Sequence, residues 1–273
     1  MRLTHNMYSL SIYKNYKSVL SENSKAIANI SSGKQLNSAK DNAGKIAESE
    51  SLKMSIISSN AAGSNIQDTN SMIQTYDGAL GQMNDNISRL KSLIVQAGNE
   101  TNEEDDNEKI QGEIDNIVKS INDLAKTDFN GMKMSQATGT SKKTTVGSIG
   151  GETIDIPFYD VTSNGLGIDN LKVSGSSKDI DAALDSVDKA TTRVSEIRSK
   201  YGAIQSRLDG SESNIDELNI SFTSAQSSIA DADIATESLE ESRTKVLIQA
   251  AISLIAQGNK LPQDALNILS SVK

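Results

Sequence analysis

The sequence predicts a mainly α-helical protein. It combines a long antiparallel helical, coiled-coil rod, a small β-hairpin, and N- and C-terminal helices that pair in a second layer. Three observations predict this fold. Apolar residues recur every seven positions in two long stretches. Proline occurs only at Pro157 and Pro262, so very long helices are possible. Aromatic residues are 3% of the 273-residue chain, so the core is a thin one of aliphatic side chains.

The two stretches have the a/d spacing of coiled coils. In the first, apolar residues seven apart are each followed three places later by a second, mostly apolar position. The second stretch predicts a helix from about 180 to 232, roughly 75–80 Å long at 1.5 Å per residue. Residues 107–126 contain a shorter helical pattern. The predicted rod core consists of Ile66, Ile73, Leu80, Ile87, Ile94, Val194, Tyr201, Leu208 and Phe222, with Phe222 facing Ile73, Leu80 and Ile87.

Both chain ends carry apolar helical faces that a single bundle would leave partly uncovered. Burial of one such side chain contributes roughly 1.5–3 kcal/mol, and two terminal helices can cover each other on one side only. The remaining apolar stripe predicts packing against another subunit. The residues predicted to form this packing are Ile12, Tyr16, Val19, Ile30, Leu247, Leu254 and Leu261.

Two polar stretches interrupt the helical pattern, SSGKQLNSAKDNAG at 31–44 and ADADIATES at 230–238. If the chain folds back on itself, these breaks lie side by side. Such runs are often simple loops, but a matching break in both halves favours a joint between two stacked layers.

Residues 135–178 have a different composition, rich in Ser, Thr and Gly. Within them ETIDIPFYDV alternates apolar and polar residues, which predicts one or two short strands, and Pro157 places them at a sheet edge.

Charge and composition weaken several function classes. The net charge of −9 disfavours nucleic acid and anionic membranes as partners, since both require clustered Lys and Arg. The chain has no Cys, and His5 is its only His, so neither a thiolate site nor an HExxH zinc site is present. The acidic run at 102–108 lacks EF-hand spacing. We therefore expect no catalytic or metal site and no cofactor.

Several motifs occur in the order seen in one family. ISSGKQLNSAKDNAG resembles the SSG-x-x-(I/L)NSA-x-DDAAG segment of bacterial flagellins, and FNG at 129–131 is another of their marks. GGETIDIPFYDVTSNGLGIDNLKV is similar to the hairpin before their C-terminal helix. Two later stretches, RSKYGAIQSRLDGSESNIDELNISFTSAQSSIADADIATES and LIAQGNKLPQDALNIL, resemble their closing motifs. The departures are mild: DNAGK stands for DDAAG, and Gly258 stands where the family often has Ala.

The resemblance implies a structural protein that polymerises into the flagellar filament used for motility, outside the cell. The second heptad stretch starts directly after KVSGSSKD. The resemblance therefore implies a short form without variable outer domains. Residues 1–42 and 232–273 would form the inner filament core and 43–231 the rod, with 135–178 outermost. The implied partners are further copies of the chain, an export chaperone on the C-terminal helices, the type III export apparatus, and hook-associated and cap proteins.

The resemblance also implies two kinds of surface site. ISRLKSLIVQAGN matches the face by which a Toll-like receptor of innate immunity senses some family members, which carries over to Arg89, Leu93, Gln96 and Glu113. The alternative is that Arg89 and Glu113 are ordinary surface charges. The outermost loops offer hydroxyls for O-linked sugars, unless these are plain turn residues: Ser141, Thr144, Thr145, Ser148, Thr162, Ser174 and Ser176.

Three other kinds of protein share some of these features. A hook–filament junction protein shares the terminal helices but generally lacks a segment like DADIA at 231–235. A flagellin with an inserted metallopeptidase needs a zinc motif that a single His cannot supply. A free helical adhesin or binding module would not polymerise, which electron microscopy can decide.

Overall fold

The computed structural model describes residues 6–99, 102–147, 151–173 and 177–271. The side chains of 177, 178, 261, 265, 266 and 268–271 lie outside the described residues. The long helices and two small antiparallel strand pairs confirm the predicted fold class. The elements are α1 (Met7–Ser32), α2 (Ala43–Ala97), α3 (Glu104–Ala125), β1 (Asp128–Phe129), β2 (Met132–Lys133), β3 (Ser141–Thr145), β4 (Thr153–Pro157), α4 (Ser163–Leu166), α5 (Ser177–Ala230) and α6 (Ile234–Ser271).

The chain divides into two compact units. The central unit comprises residues 55–220, and the terminal unit comprises 1–54 together with 221–273. The central unit therefore contains most of α2 and α5 and all elements between them, whereas the terminal unit contains α1 and α6.

In the central unit, α2 and α5 run antiparallel and are joined by polar side chains along their edges. Arg198 forms an ion pair with Asp77 at 2.8 Å. Further along, Asn70 donates to Asp209 at 3.1 Å, so the residue number falls on one helix as it rises on the other. Between these edges the heptad side chains of α2 from Ile66 to Ile94 are buried.

Phe222 is an exception to the second ladder, and its predicted place in the rod core is wrong. The α5 side chains belong to the central core cluster only as far as Ile215. Asn219 pairs with Asn60, so within the central unit this end of α5 is level with residue 60 and not with Ile73, Leu80 and Ile87. Phe222 itself is half-buried and belongs to the terminal unit. Heptad spacing identifies the face of a helix, but it does not fix the level of the antiparallel partner.

Helix α3 and a tight hairpin cover one side of this pair. Three acidic residues occupy the first turn of α3, where they interact favourably with the helix dipole. After the helix, β1 and β2 are joined by Asn130 and Gly131, which have φ of 51° and 78°. Positive φ at both positions is the geometry of a type I′ turn, and Asn-Gly is its preferred sequence.

The second hairpin pairs β3 with β4, and its side chains join an aromatic cluster. The Tyr76 ring meets Phe158 edge-on and lies beside Tyr201. The Tyr76 hydroxyl donates to the Met132 carbonyl at 2.7 Å, and the Tyr201 hydroxyl donates to the Pro157 carbonyl at 3.2 Å. Burial raises the pKa of Tyr76 to about 12 and also raises the pKa of Tyr201. Both phenols therefore stay neutral and fasten the two hairpins to the long helices.

Candidate functional site

The terminal unit consists chiefly of α1 and α6, which pack antiparallel. Asn6, just before α1, donates to the carbonyl of Gly258 at 2.8 Å, and Asn29, near the end of α1, donates to Glu237 at 2.8 Å. On α1 the side chains that face α6 recur at alternating steps of three and four residues, as in a coiled coil. They are Ile12, Tyr16, Val19, Asn23, Ala26 and Ile30, of which only Ala26 is fully buried among these six.

The facing side of α6 is formed by small residues, which the sequence pattern did not single out. Thr244 and Gly258 are buried and Ala251 is half-buried, each seven residues from the next. A Cβ atom on Gly258 would come within 2.9 Å of the Ser9 hydroxyl oxygen and 3.4 Å of the Tyr8 ring. The glycine therefore permits close approach of the two helices at this end.

The predicted leucine ladder of α6 lies off this contact. Leu247 and Leu254 are 39% and 42% exposed, and the side chain of Leu261 is outside the described residues. By contrast, the predicted α1 side chains Ile12, Tyr16, Val19 and Ile30 are half-buried against α6. Among the predicted packing residues whose side chains the structure describes, only those on α1 are covered within the chain.

A polar layer crosses the middle of the α1–α6 contact. Asn23 donates through Nδ2 to the Thr244 hydroxyl at 2.9 Å and lies 3.4 Å from the Glu241 carbonyl. A polar residue at such a seam position fixes helix register at some cost in stability. The contact is therefore specific but weakly hydrophobic.

The two polar breaks lie side by side, as their positions in the sequence predicted. The backbone N–H of Gln35 donates to the Ala230 carbonyl at 2.9 Å, and the backbone N–H of Ala232 donates to the Gly33 carbonyl at 2.9 Å. These bonds flank an antiparallel bridge between Lys34 and Asp231. Gly33 ends α1 with φ of 68°, a left-handed conformation that glycine adopts without strain.

The side chain of Asn29 links three segments at this junction. Its Nδ2 donates to Glu237 in the first turn of α6, and its Oδ1 accepts from Asn37 of the polar break at 2.9 Å. Asn29 is buried. Because both ends of its amide are engaged away from water, it holds α1, the break and α6 in one arrangement.

Two carboxylates stabilise the turns on either side of the junction. The backbone N–H groups of Ser38 and Asn37 donate to the Asp41 carboxylate. These bonds hold the pKa of that carboxyl below its usual value. Asp233 begins α6: the hydroxyl of Thr236 and the amide of Ala235 donate to it and lower its pKa. Both groups are therefore ionised at neutral pH.

The predicted immune-receptor face is only partly at the surface of the central unit. Arg89 and Glu113 form an exposed ion pair at 2.7 Å, and Gln96 is exposed. Leu93 is 2% exposed because it packs into the core with Ile94. Its predicted place on the receptor face is therefore wrong, since a partner cannot reach its side chain.

The predicted hydroxyl sites also differ in accessibility. Ser141 and Thr145 are exposed on β3. The Thr144 hydroxyl is bonded to Thr69, and the Thr162 hydroxyl donates to Asp160 while it accepts from the amide of Gly165 at the start of α4. These engaged hydroxyls argue against sugars at Thr144 and Thr162. The remaining candidates, Ser148, Ser174 and Ser176, lie outside the described residues.

Within the described ranges, no three acidic, His or Cys side chains are grouped as metal ligands would be. None of the helices in the part of the chain that the structure describes is long and apolar enough to cross a membrane.

Both halves of the chain match known protein families. Residues 3–140 match the bacterial flagellin N-terminal helical region, and residues 184–269 match the bacterial flagellin C-terminal helical region. The flagellin of Halalkalibacterium halodurans is 33% identical, with 98% of this chain and 100% of the relative covered. The flagellin of Bacillus subtilis is 32% identical with the same coverage.

A solved structure shows a similar fold at low sequence identity. The putative flagellar hook-associated protein from Vibrio parahaemolyticus superposes with a TM-score of 0.61 at 14% identity. The match covers 70% of this chain and 100% of that one. At this identity the likeness concerns the fold alone.

Proposed function

The chain belongs to the bacterial flagellin family, and we propose that the outer faces of α1 and α6 are the surface through which its copies assemble. Flagellins are structural proteins, and the chain is a subunit of a flagellar filament that serves motility. Both relatives are covered over their full length, which fits a short flagellin. The fold shared with a hook-associated protein does not favour a hook–filament junction protein, because the relatives most similar in sequence are flagellins.

The observation that supports this surface is the exposure of large apolar side chains in the terminal unit. Most of the exposed large hydrophobic residues among those described belong to it, including Tyr13, Leu20, Ile27, Val246 and Leu254. A single soluble chain gains nothing from such exposure, whereas contiguous apolar surface is typical of protein contact sites. Each side chain covered in a filament contributes up to roughly 1.5–3 kcal/mol.

We further propose that the filament lies outside the cell and that the chain reaches it through the flagellar type III export apparatus. The exposed leucines of α6 need a cover before assembly, which supports an export chaperone on the C-terminal helices. Hook-associated and cap proteins are the proposed neighbours at the filament ends. We propose no enzymatic activity, because the family is structural.

Two surface functions remain proposals of narrower scope. A Toll-like receptor contact would use Arg89, Gln96 and Glu113 without Leu93. O-linked sugars would be attached to the exposed hydroxyls of Ser141 and Thr145. An intact mass of the native protein equal to that of the bare chain would remove the sugar proposal.

Electron microscopy of the purified chain under polymerising conditions tests the proposed assembly surface. We expect filaments from the full chain and none from a chain that lacks residues 240–273, whose central unit should still melt cooperatively. Ser253→Ala, next to the exposed Leu254, is the matched control and should assemble normally. Long filaments from the truncated chain would contradict the proposal.

A further inference from the structure

The chain contains two Asn-Gly pairs, Asn130-Gly131 and Asn164-Gly165, and the structure holds them differently. An asparagine followed by glycine is open to attack by its own backbone, because the glycine has no side chain to hinder the approach. The attacking atom is the backbone nitrogen of the glycine, and the attacked atom is Cγ of the asparagine. The surroundings of each glycine nitrogen therefore decide which pair reacts.

Neither pair is aligned for this attack in the folded chain. Asn130 has φ of 51°, in the left-handed region, where the next backbone nitrogen points away from the Cβ atom of the residue. Asn164 lies in α4, and a helical backbone also keeps the next nitrogen out of line with Cγ. Each pair must open before the reacting atoms can meet. The ease of local opening therefore sets the order of reactivity.

The turn at Asn130 is the pair that opens more easily. Asn130 and Gly131 are both exposed, and among the described residues the backbone N–H of Gly131 makes no hydrogen bond. Each strand of this hairpin has only two residues. From the side, the hairpin is fastened by the hydroxyl of Tyr76, which donates to the Met132 carbonyl at 2.7 Å. A segment with so few bonds opens at low free energy.

The pair at Asn164 is held closed. The backbone N–H of Gly165 donates to the Thr162 hydroxyl at 3.2 Å, so the attacking nitrogen is engaged. A Cβ atom on Gly165 would lie 2.6 Å from the Asp160 carbonyl oxygen, which shows how closely this glycine is packed. The next side chain, Leu166, is 5% exposed, so opening of α4 would expose an apolar group to water.

We propose that Asn130 is a site of spontaneous modification, where water converts the asparagine to aspartate and isoaspartate. The Gly131 nitrogen attacks Cγ of Asn130 and closes a cyclic imide. The proton of that nitrogen and the side-chain amide leave together as ammonia. Water then adds to one of the two imide carbonyls and breaks its bond to nitrogen, and no atom is oxidised or reduced. This site goes beyond the proposed function and does not depend on it.

The two products have different effects on the hairpin. Cleavage at the side-chain carbonyl gives aspartate, and Asp-Gly is also a preferred sequence for a type I′ turn. Cleavage at the backbone carbonyl gives isoaspartate, whose main chain runs through Cβ and Cγ and is one carbon atom longer. A two-residue turn has no slack for this atom, so β1 and β2 separate and the Met132 carbonyl moves away from the Tyr76 hydroxyl.

Peptide mass mapping of the full chain tests the site. The purified chain is incubated at mildly alkaline pH, which favours loss of the proton from the attacking nitrogen, in water labelled with heavy oxygen. Each hydrolysis then adds a labelled oxygen, and enzymatic methylation of isoaspartate separates the two products. We expect conversion at Asn130 to be several-fold faster than at Asn164. Equal rates, or faster conversion at Asn164, would overturn the proposal.

Two matched variants test whether opening of this hairpin controls the reaction. Tyr76→Phe removes the bond to the Met132 carbonyl and should quicken conversion at Asn130 several-fold. Tyr201→Phe removes the bond from Tyr201 to the Pro157 carbonyl, on the other hairpin, and should leave the rate at Asn130 unchanged. An unchanged rate in Tyr76→Phe, or equal quickening in both variants, would contradict control by the hairpin.

Amide hydrogen exchange tests the effect of the products. The backbone N–H of Met134 donates to the Thr127 carbonyl at 2.9 Å, just beyond the hairpin strands. We expect this N–H to exchange several-fold faster in the purified isoaspartate form. The Asn130→Asp variant, which mimics the other product, should exchange like the natural chain. Equal exchange in the isoaspartate form and the natural chain would overturn the inferred separation of β1 and β2.

Discussion

The terminal and central units are both built from long helices, yet they bury very different side chains. In the central unit Ile66, Leu80 and Tyr201 are among many fully enclosed apolar residues, because α3 and two hairpins cover α2 and α5. Among the described residues of the terminal unit, the buried apolar side chains are Ala26 and Ala230. The central unit thus buries its core within one chain, whereas the terminal unit leaves most of its large apolar side chains exposed.

Truncation of a side chain in the central core should have the largest effect on folding. Leu80 is fully buried, and a Leu→Ala change at such a position costs about 2–5 kcal/mol because transfer energy is lost and a cavity remains. Thermal melts of Leu80→Ala should show a clearly lower Tm of the central unit. Leu254→Ala, at an exposed position of the terminal unit, is the comparison and should leave that Tm nearly unchanged. Similar losses from both would erase the contrast between the units.

Asn29 should have the next largest effect, confined to the terminal unit. Asn29→Ala removes a buried side chain that hydrogen-bonds Glu237 and Asn37, and each lost hydrogen bond costs roughly 0.5–1.5 kcal/mol. Amide hydrogen exchange in filaments should quicken around residues 29–37 and at the start of α6. The exposed Ala28→Ser variant should exchange normally, and unchanged exchange in Asn29→Ala would show that the amide does not hold the junction.

Phe222 tests where the central core ends. Because it is half-buried, Phe222→Ala should cost about 1 kcal/mol, well below the loss expected for an enclosed side chain. Ser221→Ala, exposed and next to it, should change stability by less than roughly 0.5 kcal/mol. A loss as large as that of Leu80→Ala would return Phe222 to the central core.

Acid should loosen the turn held by Asp41, which is the smallest effect. The pKa of Asp41 in the folded chain lies below 3.8, so its bonds to the Ser38 and Asn37 amides contribute stability above that pH. The contribution is lost as pH falls through the lowered pKa. An NMR titration should show Asp41 titrating below 3.8 together with these amides, and Asp41→Asn should remove that step. Titration at or above 3.8 would contradict the assignment.

The sequence predicted the fold class because long heptads, few prolines and paired polar breaks all constrain the backbone directly. The alternation in ETIDIPFYDV predicted a strand where β4 lies. The Asn130-Gly131 pair, a sequence signal for the tight turn between β1 and β2, was not used. The family resemblance placed Leu93 wrongly, because a matched motif does not show which of its side chains are buried. The heptads placed Phe222 wrongly, because spacing identifies a helix face without showing what covers that face. For the same reason the repeat of Leu247 was visible, but its spacing did not show that Thr244, Ala251 and Gly258 face α1 instead.

Amide hydrogen exchange on the unassembled chain and on its filament tests most directly whether the terminal unit depends on neighbouring copies. Helices with few buried apolar contacts open at low free energy, whereas core helices open only with global unfolding. We expect residues 66–94 and 187–215 to be protected in both states, and α1 and α6 to become protected only in the filament. Equal and strong protection of α1 and α6 in the unassembled chain would contradict the account.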